Sequence, residues 1–442
     1  MTPSPSTVQR VYLSLTLLQT LAASFIWGIN TLFLLDAGLS NTEAFAANAF
    51  FAAGQVLFEV PTGVVADTRG RRFSYLLGAA TLLASTFLYF VMWQVHAPFV
   101  GWAIASILLG LGFTFFSGAT EAWLVDALAA TEYKGGLEAI FGRAQVVGGG
   151  AMLIGSVSGG VIAQLTNLGV PYILRAVLLG ATLLVAARFM HDIGFKPKQG
   201  ANAVDEVRTV IRGSIEGGWR NPPVRALMLA APFTSGAAFF AFYASQPYLL
   251  QLFGDPSAYG IAGLTAAIFA GAQILGGLLV SRVRLLFRRR TDAIILGTVV
   301  NVLILVVIGW TGSFAIALVL LAVWAMVFAL EAPLRQAYIN GIISSEQRAT
   351  VLSFDSLMGS TGGVVAQPVL GRVADVYGYG PSYIVTGLIQ AVAIPFGLIA
   401  RRANAPSDPI EQRPAIRPEP AAVQPGQLPA VPGGTAPPAD PS

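Results

Sequence analysis

The chain has 442 residues, 55% hydrophobic and only 11% charged, against about 25% charged in a soluble globular protein. Soluble cores cannot hide that much apolar surface, so the solvent it implies is lipid. The net charge of +4 would suit nucleic acid in a soluble protein but here reads as membrane topology, and the absence of cysteine excludes disulfides, thiolate nucleophiles and cysteine-based metal sites.

Residues 1–10 are polar and form an N-terminal segment. From Val11 an apolar run begins that is too long for a cleaved signal peptide and reads as a retained first span. A helix needs about 20 apolar residues to cross the hydrocarbon core, and lipid offers backbone groups no partners, so the spans are helical. Twelve runs qualify, near 11–36, 43–66, 73–95, 98–127, 138–165, 170–190, 224–252, 258–281, 292–311, 313–340, 350–376 and 380–400. The predicted fold is an all-α membrane protein with twelve transmembrane helices in two pseudo-symmetric six-helix bundles, 11–190 and 224–400. Between them lies a polar linker, 191–223. In it Val204, Val207, Ile211 and Ile215 repeat at helical spacing opposite Asp205, Glu206, Arg208 and Arg212, the pattern of an amphipathic helix on a membrane face. The tail 401–442 is rich in proline and alanine, with eleven prolines after Ala403, and reads as disordered.

Topology follows from the basic residues. With an even span count, 24 of the 26 lie on or near the side of the termini, among them Arg69, Arg71, Arg72, Lys196, Lys198, Arg288, Arg289, Arg290, Arg401 and Arg402. Only Arg175 and Arg372 lie toward the other side. This asymmetry predicts a multi-pass protein of the cell (inner or plasma) membrane with both termini cytoplasmic. His96 and His191 fall in loops and read as surface residues.

The halves repeat weakly. Gly159-Gly160-Val161-Ile162-Ala163-Gln164 matches Gly362-Gly363-Val364-Val365-Ala366-Gln367, Glu121-Ala122 matches Glu331-Ala332, and the ends of Gln55–Arg72 match those of Gln273–Arg290. Three matches in one order argue for duplication, a common way to build a central site between halves that rock.

Between spans two and three the chain reads Gly63-Val64-Val65-Ala66-Asp67-Thr68-Arg69-Gly70-Arg71-Arg72. This resembles the cytoplasmic loop signature of the major facilitator superfamily, in its usual place in a twelve-span chain. Phe58-Glu59-Val60-Pro61-Thr62 and Arg348-Ala349-Thr350-Val351-Leu352-Ser353 are similar to bacterial members of drug:proton antiporter type. The resemblance covers residues 11–400 and implies a gate latch. Gly63 would let helices approach, Gly70 would allow a tight turn, Asp67 would cap a helix or accept hydrogen bonds from one, and Arg71 would pair with Asp126 or Asp355 when the cytoplasmic side is shut. Arg71 and Arg72 would equally serve as topology anchors. On span five Gly142, Ala151, Gly155, Ser156, Gly159 and Gly160 are similar to the family's antiporter signature, with alanine and serine in place of a glycine and the proline; a plain small-residue helix contact fits them too. Ser106 stands where the family often carries a span-four arginine tied to proton coupling.

Ionisable residues inside spans are expensive and default to functional readings. Glu59, Glu121, Asp126, Arg143, Glu331, Arg335 and Asp355 lie in the cytoplasmic third of their spans and fit an acid–base latch network. Arg372 and Asp375, one turn apart, would pair with each other. By family analogy, spans one, four, seven and ten line the cavity with Trp27, Asn30, Phe113, Phe116, Phe240, Tyr243, Gln246 and Trp324. An aromatic wall with a few amides and hydroxyls suits an amphipathic or lipophilic molecule, and no midplane basic residue is evident to hold an anion.

The expected function is secondary transport, foremost proton-coupled efflux of drug-like compounds, with uptake or facilitated diffusion of a polar metabolite such as a sugar as the alternative. Neither metal-spaced histidines nor a nucleophile motif nor a phosphate loop points to an enzyme. The expected partners are a small-molecule substrate, the lipid bilayer and protons as coupling ion, with no nucleic acid, no metal and no cofactor, on a monomer.

Overall fold

The structure, a computed structural model, describes residues 4–197, 204, 205, 207, 208, 212 and 215–410. Helices α1 (Pro5–Trp27) and α2 (Asn30–Asp36) form a first pass bent by 49°. Ser4 caps α1 by accepting from Thr7 N, with Pro5 at the first helical position. The second pass, α3 (Asn41–Arg69), opens on a capping box in which Ser40 Oγ accepts from Glu43 N and the Glu43 carboxylate accepts from Ser40 N. There follow α4 (Arg71–Val95), then α5 (Phe99–Thr114) and α6 (Ala119–Ala130) as one pass, then α7 (Leu137–Leu165) and α8 (Gly169–Phe189).

After the linker come α9 (Pro222–Phe253), α10 (Tyr259–Val283), α11 (Arg290–Trp310), α12 (Phe314–Asn340), α13 (Ser345–Tyr377), and α14 (Tyr379–Ala391) with α15 (Ala393–Arg402) as the last pass. Among the described residues ten helices or continuous helix pairs are long and apolar enough to cross a membrane, and the bent α1–α2 pair makes eleven. Helix α13 has the length, 33 residues, but its interior carries Ser353, Asp355, Ser356, Ser360, Thr361 and Gln367 and is less apolar. It packs between α9 and α3.

Within the first six passes α1 packs on α7 and α8, α3 on α5, and α4 on α5 and α8; within the last six α9 packs on α13, α10 on α12, and α11 on α12 and α14. The halves meet along two seams, α3 with α13 and α7 with α10. The second seam depends on small residues. A Cβ on Gly160 would stand 2.6 Å from Tyr259 O, and one on Gly263 2.4 Å from Ser156 O, so backbone meets backbone there.

In the linker, Val204, Asp205, Val207, Arg208 and Arg212 are helical, while Glu206 and Ile211 lie outside the described residues. The tail expected from residue 401 starts differently. α15 runs to Arg402, and residues up to Ile410 are docked. Asp408 is buried and accepts from Thr291 N and Thr291 Oγ1 at 2.9 Å each, and Ile410 N donates to Arg288 O. Residues 411–442, the rest of the expected tail, lie outside the described residues.

Candidate functional site

A cavity of about 1130 Å³ lies between the halves. Its wall comes from α1 (Tyr12, Thr16, Gln19, Thr20, Trp27), the α5–α6 pass (Phe113, Phe116, Ser117, Glu121), α7 (Phe141, Gln145, Met152) and α10 (Gln273, Ile274). These residues run from the middle of the passes toward the face at which the described chain begins, at Ser4, and ends, at Ile410, called here the termini face. A smaller cavity of about 250 Å³ shares Trp27 and Gln273 with it and is otherwise walled by the second half, with Phe239, Phe242, Tyr243, Phe269, Trp324 and Phe328. Trp27 stacks on Phe242 at 4.5 Å, Trp324 stacks on Phe328 at 5.7 Å, and Phe269 meets Trp324 edge-on at 5.9 Å. Among the described residues no Asp, Glu, Lys, Arg or His lines this aromatic box. The buried indole Nε1 of Trp324 has no hydrogen-bond partner.

Toward the opposite face the halves are tied together. Gln246 Nε2 donates to Trp27 O at 3.0 Å, and Gln246 Oε1 accepts from Thr31 N at 2.9 Å. Gly260 N donates to Gln164 Oε1 at 2.9 Å. Asp375, at the end of α13, accepts from the N–H of Asn41 and of Thr42 at 2.9 Å each and from Thr42 Oγ1, while Tyr379 Oη donates to Asn41 Oδ1. The expected Arg372–Asp375 pair is therefore corrected. The carboxylate caps the N-terminus of α3 in the other half, where free backbone donors and the helix dipole favour it.

At the termini face each half holds its own charges. Arg71 bonds Asp67 one turn back and lies 4.0 Å from Asp126. Arg335 grips Asp355 with both guanidinium nitrogens and also donates to Leu227 O at 3.0 Å. Gly70 sits at φ +111°, and a Cβ there would fall 2.2 Å from Asp192 Oδ2. Asp192 in turn accepts from Arg72 N at 2.8 Å, and Arg72 Nη2 donates to Ala187 O at 2.6 Å. The signature loop is thus clamped onto the chain leaving α8. Gly63 has open space around it and mediates no close helix approach in this conformation.

A model described as Major Facilitator Superfamily matches residues 12–365 and 233–432. The chain belongs to the major facilitator superfamily. It is 22% identical over 397 residues to the MFS-type transporter YxaM of Bacillus subtilis (strain 168), covering 87% of this chain and 94% of that one. Among solved structures, a mutant of the nucleoside transporter NupG superposes with a TM-score of 0.75 at 13% identity, covering 89% of this chain and 99% of that one. The D-xylose-proton symporter does so with 0.65 at 14% identity, covering 89% and 97%. Likenesses at such identities show the fold alone. As a superfamily member the chain is a multi-pass secondary transporter of small molecules, not an enzyme.

On this superfamily scaffold the sequence-derived residues separate. Trp27, Phe113 and Phe116 line the large cavity, and Trp27, Tyr243 and Trp324 the aromatic box. Asn30 lies off both. It is buried, accepts from Tyr172 Oη at 2.9 Å and donates to Asn48 Oδ1 at 2.8 Å. Phe240 is packed against Phe45 and Tyr383, and Gln246 belongs to the closure at the far face. Glu121 is exposed on the cavity wall, Glu59 accepts from Ser117 Oγ at 2.7 Å, and Arg143 is exposed on α7. In the span-five signature, Gly155 and Gly159 lie against Ser24 and Phe25 of α1, and Ser156 and Gly160 against α10. These are helix contacts.

Sequence reasoning missed a buried cation. Arg175 was expected toward the far side, and no basic residue at mid-depth. Arg175 is instead 2% exposed. It donates through Nε to Thr86 Oγ1 at 2.9 Å and through Nη1 to Ala22 O at 3.2 Å, with its guanidinium 6.0 Å from the Phe113 ring. Thr86, Ala22 and Phe113 lie near the middle of their passes, so the long side chain carries the charge inward from its backbone position. Ser106, which replaces the span-four arginine, bonds Tyr89 at 2.5 Å.

Proposed function

We propose that this transporter exports amphipathic or lipophilic organic molecules in exchange for protons. The observation that carries the reading is the aromatic box, a charge-free pocket with one unsatisfied N–H donor, that of Trp324, beside a wider cavity. Such a pocket takes an aromatic or aliphatic body and gains one hydrogen bond from a polar tip. The basic residues around the signature loop support a cytoplasmic setting for the termini face. The cavity then opens inward while Gln246 and Asp375 hold the outside shut, the state in which an exporter loads.

Uptake of a polar metabolite has one observation in its favour. Thr16, Gln19, Thr20, Gln145 and Gln273 give the larger cavity a wall of hydroxyls and amides, the groups that would hydrogen-bond a sugar or nucleoside.

Accumulation in cells separates the two. Overproduction should lower the steady-state level of at least one lipophilic dye from a broad panel, and Trp324→Ala should restore it. Faster entry of a labelled sugar or nucleoside, with no dye affected, would reject export in favour of uptake.

A further inference from the structure

The first pass breaks where the second half touches it. Its two helices meet at 49°. At the joint Gly28 stays in the right-handed helical region, and Ile29, at φ −128° and ψ 1°, leaves it. In an unbroken helix Thr31 N would donate to Trp27 O, four residues back. Here the side chain of Gln246, from α9, stands between them. Gln246 Oε1 accepts from Thr31 N at 2.9 Å, and Gln246 Nε2 donates to Trp27 O at 3.0 Å. One amide of the other half thus serves both ends of a missing helix bond.

A side chain inserted into the i→i−4 ladder bends a helix sharply, and no proline lies between Pro5 and Asp36 to supply another cause. Gly28 gives the joint room, since a Cβ there would stand 2.9 Å from Ala266 Cβ and 3.0 Å from Gly263 Cα of α10. The first half fixes the pivot through Asn30, which bonds Asn48 and Tyr172. Trp27 is gripped twice by one turn of α9. Phe242 stacks on its indole at 4.5 Å, and Gln246, four residues on, holds its carbonyl. A wall of the aromatic box and the closure of the far face therefore meet in one residue.

We propose that Gln246 is a positioning residue that acts through the Trp27 backbone. While the far face is shut, it keeps the first pass bent and Trp27 against Phe242. When the halves part there, Gln246 withdraws, Thr31 N closes onto Trp27 O, and the pass straightens. Backbone groups left without a partner are costly, and each finds the other one helical turn away. The first half then does not rock as a rigid body. Straightening also turns the indole from Phe242 and takes apart one wall of the box, so the state open at the far face lets its substrate go. That last step rests on the box being the substrate site, as read above; the hinge does not.

A distance within the first pass tests this, because both of its ends belong to one half and rigid rocking leaves it unchanged. Spin labels on Ser14→Cys and Asp36→Cys, both exposed positions, are measured in the purified full chain in lipid by double electron–electron resonance. From the 49° bend and a rise of 1.5 Å per residue, straightening should lengthen this distance by about 3 Å. Native Gln246 should give mainly the short distance. Gln246→Met, of similar length but unable to bridge, should shift the population to the long one. Asp375→Asn leaves Gln246 in place and should add a long component, which ethidium should return to the short distance. An unchanged distance in both variants overturns the hinge. A long component that ethidium does not reverse keeps the hinge and overturns the part of Trp27 in substrate release.

Discussion

Asp375 and Thr42, 333 residues apart in sequence, meet where α13 of one half caps the first turn of α3 in the other. The carboxylate takes two backbone donors and a hydroxyl, so it closes the far face by satisfying groups that opening would leave to water. Asp375→Asn removes the charge and part of the acceptor capacity. Hydrogen bonds to a charged group contribute about 1.5–3 kcal/mol, enough to raise the population open at that face by roughly tenfold or more. In this cysteine-free chain, a cysteine at Gln246 should react faster with an impermeant thiol reagent in the Asp375→Asn background. An unchanged rate would mean the cap is incidental to closure.

The second expectation concerns Arg335 and Asp355. The Asp355 side chain is 8% exposed and that of Arg335 24%, so removing the cation strands a buried charge, at a cost of about 3–5 kcal/mol. Arg335→Leu should lower the thermal midpoint in detergent sharply, and Arg335→Leu with Asp355→Leu should recover most of the loss. Equal losses in the single and double variants would show that packing, not charge, holds the site.

The signature loop yields a third. Gly70→Ala must strain a positive φ and drive a methyl group into Asp192. It should abolish folding or transport. Asp192→Ala in the same background should relieve the clash, leaving the backbone strain of a region essentially reserved for glycine, about 1–3 kcal/mol, and the loss of the hydrogen bond from Arg72 N. Arg71→Ala should cut transport rate with abundance and substrate affinity largely kept. Normal transport with poor insertion would make Arg71 a topology anchor instead.

Orientation is the fourth. His96 caps α4 at the far face, and Arg402 ends α15 at the termini face. In intact cells an impermeant maleimide should label His96→Cys and spare Arg402→Cys. The reverse pattern would invert the transporter and make the open cavity outward-facing.

The passes were legible because long apolar runs mark membrane-crossing helices directly. The cavity was less so. In a helix apolar all round, the 3.6-residue period no longer marks an inner face, and Phe240 and Phe242 look alike until packing buries one and turns the other to the box. Thr16, Gln19 and Gln273 line the large cavity for the same reason, and no local feature separates them from other polar residues. Arg175 and Asp375 defeated local reasoning because their partners lie on other passes, at Ala22 and Thr86, and at Asn41 and Thr42.

Proton-coupled export through the aromatic box is tested most directly by ethidium flux in proteoliposomes under an imposed pH gradient. With the acidic side at the face opposite the termini, wild-type protein should drive ethidium toward that side above its equilibrium level. Trp324→Ala should weaken the flux, and collapse of the gradient should release the dye. Flux that ignores the gradient, or a gradient that drives a sugar while ethidium stays at equilibrium, would contradict the account.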